Sequence, residues 1–466
     1  MTETSLDSRR APAAAPTAAK DRPAVVRTTL DLIVVAALAL VVLLPGIWSL
    51  APTNAVERAA AARVDVVLAG PTLADRLLPG GLADPAPPLA SWLQAAALWA
   101  YGPSEPVPSW VPRAPSAIAA VLAVIVTWAA ALAASGRAAA LIAGGLVATT
   151  MAAGLAARLQ GPDALALLAV TLVGAAVVSA VAAPEGRPSA PRTIAFWLGL
   201  ALVFLSGGWV AGVVALSLVL ALVVSDPGTG RLRALDPVRG PALFVLAISP
   251  VLAAAVVLAY RGGVAPSTAL LGWFAPPDAG RWGPPGTHVV LAIATLWPLS
   301  AFLPVLLATR PSPPGDPARR RVFTVLAAWI LPAWVALEAV PVKRPLDVLA
   351  LSPALALVVA IALSTSRFPT GRLSARAGWV LFAATTVVLV FGLNAAFVLA
   401  AGHASATGLV AGAGAIVVAF VATRLLVAGR ARSAAPLVAA AAALVAAIAF
   451  VLLPEATGWL MAAWSP

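Results

Sequence analysis

The sequence predicts an all-α fold, a polytopic transmembrane bundle of about 13 helices. Three observations carry that prediction. Apolar residues make up 61% of the 466 and charged residues only 10%, whereas a soluble chain of this size needs far more polar surface. Apolar runs of about 20 residues recur from one end to the other, each long enough to cross roughly 30 Å of hydrocarbon. Basic residues gather in alternate loops between those runs, as membrane insertion favours.

The elements follow in order. Residues 1–27 are polar, basic and rich in Ala and Pro, the composition of a disordered cytoplasmic tail. The next run is too long for a signal peptide and leads to no small-residue cleavage site, so 29–50 is the first expected span. Residues 51–112 form a long outer stretch. Within it "NAVERAAAARVDVVLAG" reads as a helix, and "PPLASWLQAAALWAYG", too short to span comfortably, as a helix lying along the interface. Further spans are expected near 113–135, 138–157, 163–183, 193–206, 209–225, 241–260 and 287–308. Five more complete the set, near 322–341, 346–365, 377–401, 406–428 and 433–453. Residues 28–453 therefore form one transmembrane domain. Residues 454–466 make a short outer tail whose Trp459 and Trp464 suit the interface.

Charge sets the expected orientation. With the N-terminus in the cytoplasm, 21 of the 30 Lys and Arg residues fall on the inner side, and the outer side holds nine bases against ten acids. The net charge of +12 thus reports a multi-pass protein of the plasma membrane, N-terminus inside and C-terminus outside. It needs no nucleic-acid partner to explain it, and the surrounding partners are membrane lipids. Cysteine is absent, which excludes disulfides and thiol chemistry. His288 and His403 are the only imidazoles, too few for a His-based metal centre. No cofactor is called for, although one carboxylate-bound divalent cation stays compatible with the sequence.

Chemistry is expected on the outer side. There "RLQGPDALALLAV" sets Arg158 and Asp163 five positions apart at the threshold of an apolar run, where charge is costly. Earlier in the chain, "DPAPPLASWLQAAALWAYG" supplies Pro87, Pro88, Leu89 and Trp92. "VPRAPS" supplies Arg113, Pro115 and Ser116, and "SGRAAA" supplies Gly136 and Arg137. "VKRPLDVLALSPALAL" supplies Lys343, Pro345 and Pro353. In order and spacing this set resembles membrane-embedded C-type glycosyltransferases, the family of protein mannosyltransferases and lipid A aminoarabinose transferases. The likeness runs over roughly residues 50–365.

That resemblance implies a polyprenyl-phosphate sugar donor, a lipid, glycan or protein acceptor at the outer face, and an inverting displacement assisted by a carboxylate. It also exposes departures. Asn54, or Thr53, stands where the family's catalytic Asp would be; Ala86 replaces the Lys of Lys-Pro-Pro, and Gly207 a further Lys. The implied reading is a membrane glycosyltransferase. Its alternative is a catalytically inactive relative that binds lipid-linked sugar or assists a partner enzyme.

Candidate roles follow from residue chemistry. A departing phosphate needs cations, and Arg158, Lys343 and Arg344 all fall at outer helix ends; the plain alternative is contact with lipid headgroups. Asn54 cannot accept a proton at neutral pH, whereas Glu57, one helical turn on, can. Asp163 can serve as the base, orient Arg158, or simply cap a helix that begins after Pro162. Lys343 and Glu338 are placed for a local ion pair, Asp347 for one with Arg344, and Asp31 for snorkelling to the cytoplasmic face. Together the expectation is one outward pocket lined by Arg158, Asp163 and Lys343, with Asn54 and Glu57 nearby.

Overall fold

In hydrocarbon a backbone N–H or C=O finds no water, so an apolar chain must satisfy its backbone within each segment, and helices do so. In the computed structural model the described residues are 22–49, 55–81, 86–102, 106–183, 189–225, 230–262, 265–276, 281–306, 316–365 and 373–464. They are helical almost throughout. The one ribbon among them pairs two-residue strands antiparallel, Arg281 opposite Lys343.

After α1 (Arg22–Leu43), the stretch expected outside carries α2 (Ala55–Ala69), α3 (Leu73–Leu77) and α4 (Leu89–Tyr101). The bundle continues with α5 (Trp110–Ser135), α6 (Arg137–Thr149), α7 (Met151–Arg158), α8 (Asp163–Ala182), α9 (Ala190–Ser206) and α10 (Trp209–Ser225). Next come α11 (Gly230–Arg233), α12 (Gly240–Gly262), α13 (Pro266–Gly272), α14 (Thr287–Thr295) and α15 (Leu299–Leu306). The chain closes with α16 (Pro317–Ala339), α17 (Ser352–Thr365), α18 (Leu373–Ala401), α19 (Ala406–Val427), α20 (Ala431–Ala447) and α21 (Pro454–Trp464).

Among the described residues nine segments are long and apolar enough to cross a membrane, and α6 with α7 makes a tenth, bent by 57°. The shorter apolar helices α9 and α10 fall where two more spans are expected, and α14 with α15, neither long enough to cross alone, where a third is. Three details differ from the sequence reading. The spans at 138–157 and 287–308 are each two helices rather than one. The last span widens into a π turn at Ile448–Leu452. The C-terminal stretch is a helix, α21, packed on α18.

The axis of the fold is α8. Its membrane-crossing window is 78% buried, and α5, α9, α10 and α16 all pack on it. Small residues permit that approach. At Gly174 the indole of Trp329 fills the place of a side chain: a Cβ there would lie 1.7 Å from the ring. Trp329 then donates its N–H to the Ala350 carbonyl at 3.0 Å, joining α16 to the turn before α17. Thr127, Thr171 and Thr386 return their hydroxyls to the carbonyl four residues earlier, so none is left unsatisfied in an apolar interior.

Because successive crossings alternate, two sets of loops collect at opposite ends. At one end Asp31 meets Arg137 in a two-pronged pair of 2.6 and 2.9 Å. Asp31 is thus held by a guanidinium on α6, where the sequence suggested a lone snorkelling carboxylate; burial beside a bidentate donor keeps it. The other end carries Glu57, Asp163 and Lys343. Gly174→Ala is expected to lower stability by about 1–3 kcal/mol through overpacking against Trp329. Gly392→Ala, whose Cβ meets nothing within 4 Å, should leave the unfolding midpoint in detergent unchanged.

Candidate functional site

Residues 158–163, "RLQGPD", link α7 to α8, and nearly every polar group in the link is tied to a different part of the chain. Arg158 is 1% exposed. Its guanidinium donates to the carbonyls of Pro45 at 2.9 Å and Val42 at 2.7 Å, and also to Gly154. The same group lies over the Phe450 ring, 4.0 Å from its centroid. Phe450 sits in the π turn, and Ser49 donates to its carbonyl at 3.0 Å. Gly46 (φ +89°) makes this possible, since a Cβ there would strike the Phe450 carbonyl.

Two residues on, the backbone N–H of Gln160 donates to Glu57 at 3.1 Å. Glu57 is 2% exposed and pairs at 3.5 Å with Arg113, which is fully buried and also donates to the Ile47 carbonyl at 3.0 Å. Ser116 donates to the Gly161 carbonyl at 3.3 Å. Asp163, at the start of α8, faces Arg344 at 3.6 Å. The N-cap position of α8 is Pro162, and Asp163 is the first residue of the helix, with its carboxylate toward Arg344.

Lys343 lies in the ribbon, 1% exposed, and donates to the carbonyls of Leu337 and Glu338 at 2.9 and 3.0 Å. Its ion pair with Glu338 is there, at 3.7 Å. Glu338 in turn accepts the backbone N–H of Gly286 and Val289 at the start of α14, where a helix dipole favours a carboxylate.

Arg158, Asp163 and Lys343 therefore do not line one pocket. Arg158 and Lys343 turn inward to backbone carbonyls, which in a dry interior need a donor. Asp163 opens into a cleft of about 80 Å³ together with Ser206, Gly207, Trp209, Arg344 and Asp347. Glu57 lies behind it, joined through Gln160. Asn54 and Thr53 fall outside the described residues, and Ala86 is buried. Gly207 has φ +65°, and Pro87 occupies the space where a Cβ would go, so the bare backbone is what lets the two loops meet.

Ser206, Trp209 and Asp347 are cleft residues that motif reading overlooked. The available signal was local: Ser206 and Trp209 bracket the double glycine between two spans, and Asp347 follows Arg344 by one turn. Electrostatically the rim is an Arg–Asp pair, and the Asp163 carboxylate holds the Arg344 guanidinium above its usual range. Among the described residues no group of three His, Cys, Asp or Glu is placed to hold a metal ion.

Residues 85–253 match the family model for dolichyl-phosphate-mannose-protein mannosyltransferases. The whole bundle is similar to ArnT from Cupriavidus metallidurans bound to undecaprenyl phosphate. That match has 20% identity and a TM-score of 0.68, covering 93% of this chain and 78% of that one. The apo state of the same protein gives 18% identity and a TM-score of 0.66, over 94% and 78%. This is the C-type glycosyltransferase fold. The resemblance read from the motifs holds, and of the motif residues Ser116 bonds directly to the link 158–163. No curated protein matches the chain.

Within this C-type bundle the two arginines should behave oppositely. Arg158→Ala removes the partner of three buried carbonyls and should cost about 3 kcal/mol or more of stability. Arg344→Ala breaks a half-exposed pair worth about 1 kcal/mol at most. Unfolding midpoints of the two variants in detergent test the contrast; equal losses would refute the inward-clamp role of Arg158.

Proposed function

We propose that the protein transfers a sugar from a polyprenyl-phosphate donor to a lipid, glycan or protein acceptor of the cell envelope. Transfer takes place at the outer face of the plasma membrane. The observation that carries the proposal is the juxtaposition of Asp163 and Arg344 across a cleft at the base-poor end of a C-type fold. The opposite end carries most of the Lys and Arg residues, which supports a cytoplasmic N-terminus and an outward-facing cleft.

Arg344 sits at the rim with 40% of its side chain exposed. A loose, half-solvated pair of 3.6 Å holds Asp163 weakly. A donor phosphate competes for the same guanidinium, which grips it with two parallel donors, and the exchange releases the Asp163 carboxylate. That carboxylate takes the proton of the acceptor hydroxyl. The acceptor oxygen forms a bond to the anomeric carbon, the bond from that carbon to the phosphate oxygen breaks, and the electron pair leaves with the phosphate on Arg344. Glu57, held by Arg113 and the Gln160 N–H, shapes the wall behind. Arg158 and Lys343, both assigned to phosphate by motif, fix the loops that present Asp163 and Arg344.

A second reading, a relative that binds lipid-linked sugar without turning it over, is favoured by one observation. The carboxylate nearest the family's catalytic position, Glu57, is buried in an ion pair and not directed to the cleft. Purified protein supplied with polyprenyl-phosphate-mannose and envelope acceptors separates the two. Transfer is expected, with Asp163→Asn lowering kcat by about 100-fold or more and Arg344→Ala raising the donor KM. Donor binding with no transfer would replace the enzyme reading by the binding one.

A further inference from the structure

The cleft holds more polar chemistry than the rim pair explains. Asp347 lines it and is only 8% exposed, and Ser206 lines it at 1%. The Asp347 Oδ2 and Ser206 Oγ atoms reach no hydrogen-bond partner among the described residues. A buried carboxylate oxygen or hydroxyl without a partner loses its hydration for nothing in return, so these two point to a ligand. The Trp209 indole lies beside Asp347. Between Ser206 and Trp209 the floor is Gly207 and Gly208, both at positive φ and without side chains. Pro87 covers Gly207, whereas Gly208 leaves its backbone open to close approach by a ligand.

Charge narrows the ligand class. Two carboxylates, Asp163 and Asp347, face the cleft with one guanidinium. An anion inside it would meet net repulsion, so a phosphate belongs at the exposed rim beside Arg344. A neutral group rich in hydroxyls meets the opposite situation. A carboxylate oxygen and a hydroxyl accept and exchange its hydrogen bonds, and the indole offers an apolar face to its C–H groups. At about 80 Å³ the space takes the edge of a sugar ring and not a whole one.

Resting on the transferase or binding readings above, we infer that Asp347 and Ser206, walled by Trp209, form a subsite for the hydroxyl edge of the donor's sugar. The phosphate remains outside on Arg344. The subsite gives the protein its preference for the glycosylated lipid over the bare polyprenyl phosphate.

The test compares two ligands on the full-length protein in detergent by calorimetry. One is a short-chain polyprenyl phosphate, the other the same lipid phosphate carrying mannose, glucose or arabinose. Wild type is expected to bind at least one sugar-bearing form more tightly than the bare phosphate. Asp347→Asn should reduce that advantage about ten- to hundredfold, the range of a hydrogen bond to a charged group, and Ser206→Ala several-fold. Ser206→Ala keeps the wild-type affinity for the bare phosphate, and Asp347→Asn, which removes a carboxylate acting on Arg344, binds it at least as tightly as wild type, so each variant reports its own folding. Equal affinity of wild type for both ligand types overturns the inference, as does an advantage that survives both substitutions. Loss of sugar binding on chelation, restored by magnesium or manganese, overturns it too, because the carboxylates then hold a cation. Turnover is scored separately. Transfer by wild type without a sugar-dependent contribution from Asp347 sinks the subsite and leaves the enzyme reading intact. Sugar-selective binding lost in Asp347→Asn, with no transfer by wild type, supports the subsite and sinks the enzyme.

Discussion

The arrangement depends on how a short polar link is held where two apolar helices meet. From Arg158 to Asp163 the chain reverses between α7 and α8, and its groups reach the end of α1, the start of α2, α5, and the loop before α17. Each anchor crosses between elements far apart in sequence, which is how a loop at membrane depth becomes rigid without regular structure. The bend between α6 and α7 follows from the same need. A straight helix could not deliver Arg158 to the carbonyls of Val42 and Pro45 while leaving Asp163 at the head of α8.

Two buried cations show how the interior tolerates charge. Arg158 and Lys343 are almost completely enclosed, and both donate chiefly to backbone carbonyls at chain reversals, where no helical partner is available. Carbonyls left over at a helix end are otherwise an expense to the fold, so a cation and a frayed terminus satisfy each other. Phe450 adds its ring face to Arg158, an attraction that grows as water is removed. Asp31 with Arg137 and Glu57 with Arg113 solve the same problem with paired ions. Breaking the Glu57–Arg113 pair leaves one charge stranded in the interior, which is far more damaging than the pair itself is stabilising.

The cleft is a different environment. Its rim pair is loose and half-solvated, and Asp347 Oδ2 and Ser206 Oγ reach no hydrogen-bond partner among the described residues, while behind them Arg158, Gln160 and Ser116 are bonded to other elements. Rigid support around an incompletely satisfied hollow is the condition under which a bound group gains most from preorganised contacts. Glycine does the shaping. Gly207 lets Pro87 close the wall, and Gly174 lets Trp329 settle on α8, so the helix that begins at Asp163 is fixed along its length.

Apolar run length, the absence of cysteine and the distribution of Arg over alternate loops were enough to determine a helical membrane bundle and its approximate number of crossings. These are local or additive properties, set by hydrocarbon thickness and by the charge of each loop. What the motifs could not decide was the direction in which each polar side chain points. Arg158, Lys343 and Arg344 look alike in sequence, as cations at helix ends, yet two turn to carbonyls and one to the rim. Asp347, read from sequence only as a partner for Arg344, does interact with it and also lines the cleft beside Trp209, a residue 138 positions away. Only the tertiary structure decides such matters, because a side chain's partner depends on which distant carbonyl or carboxylate packing brings within 3 Å or so.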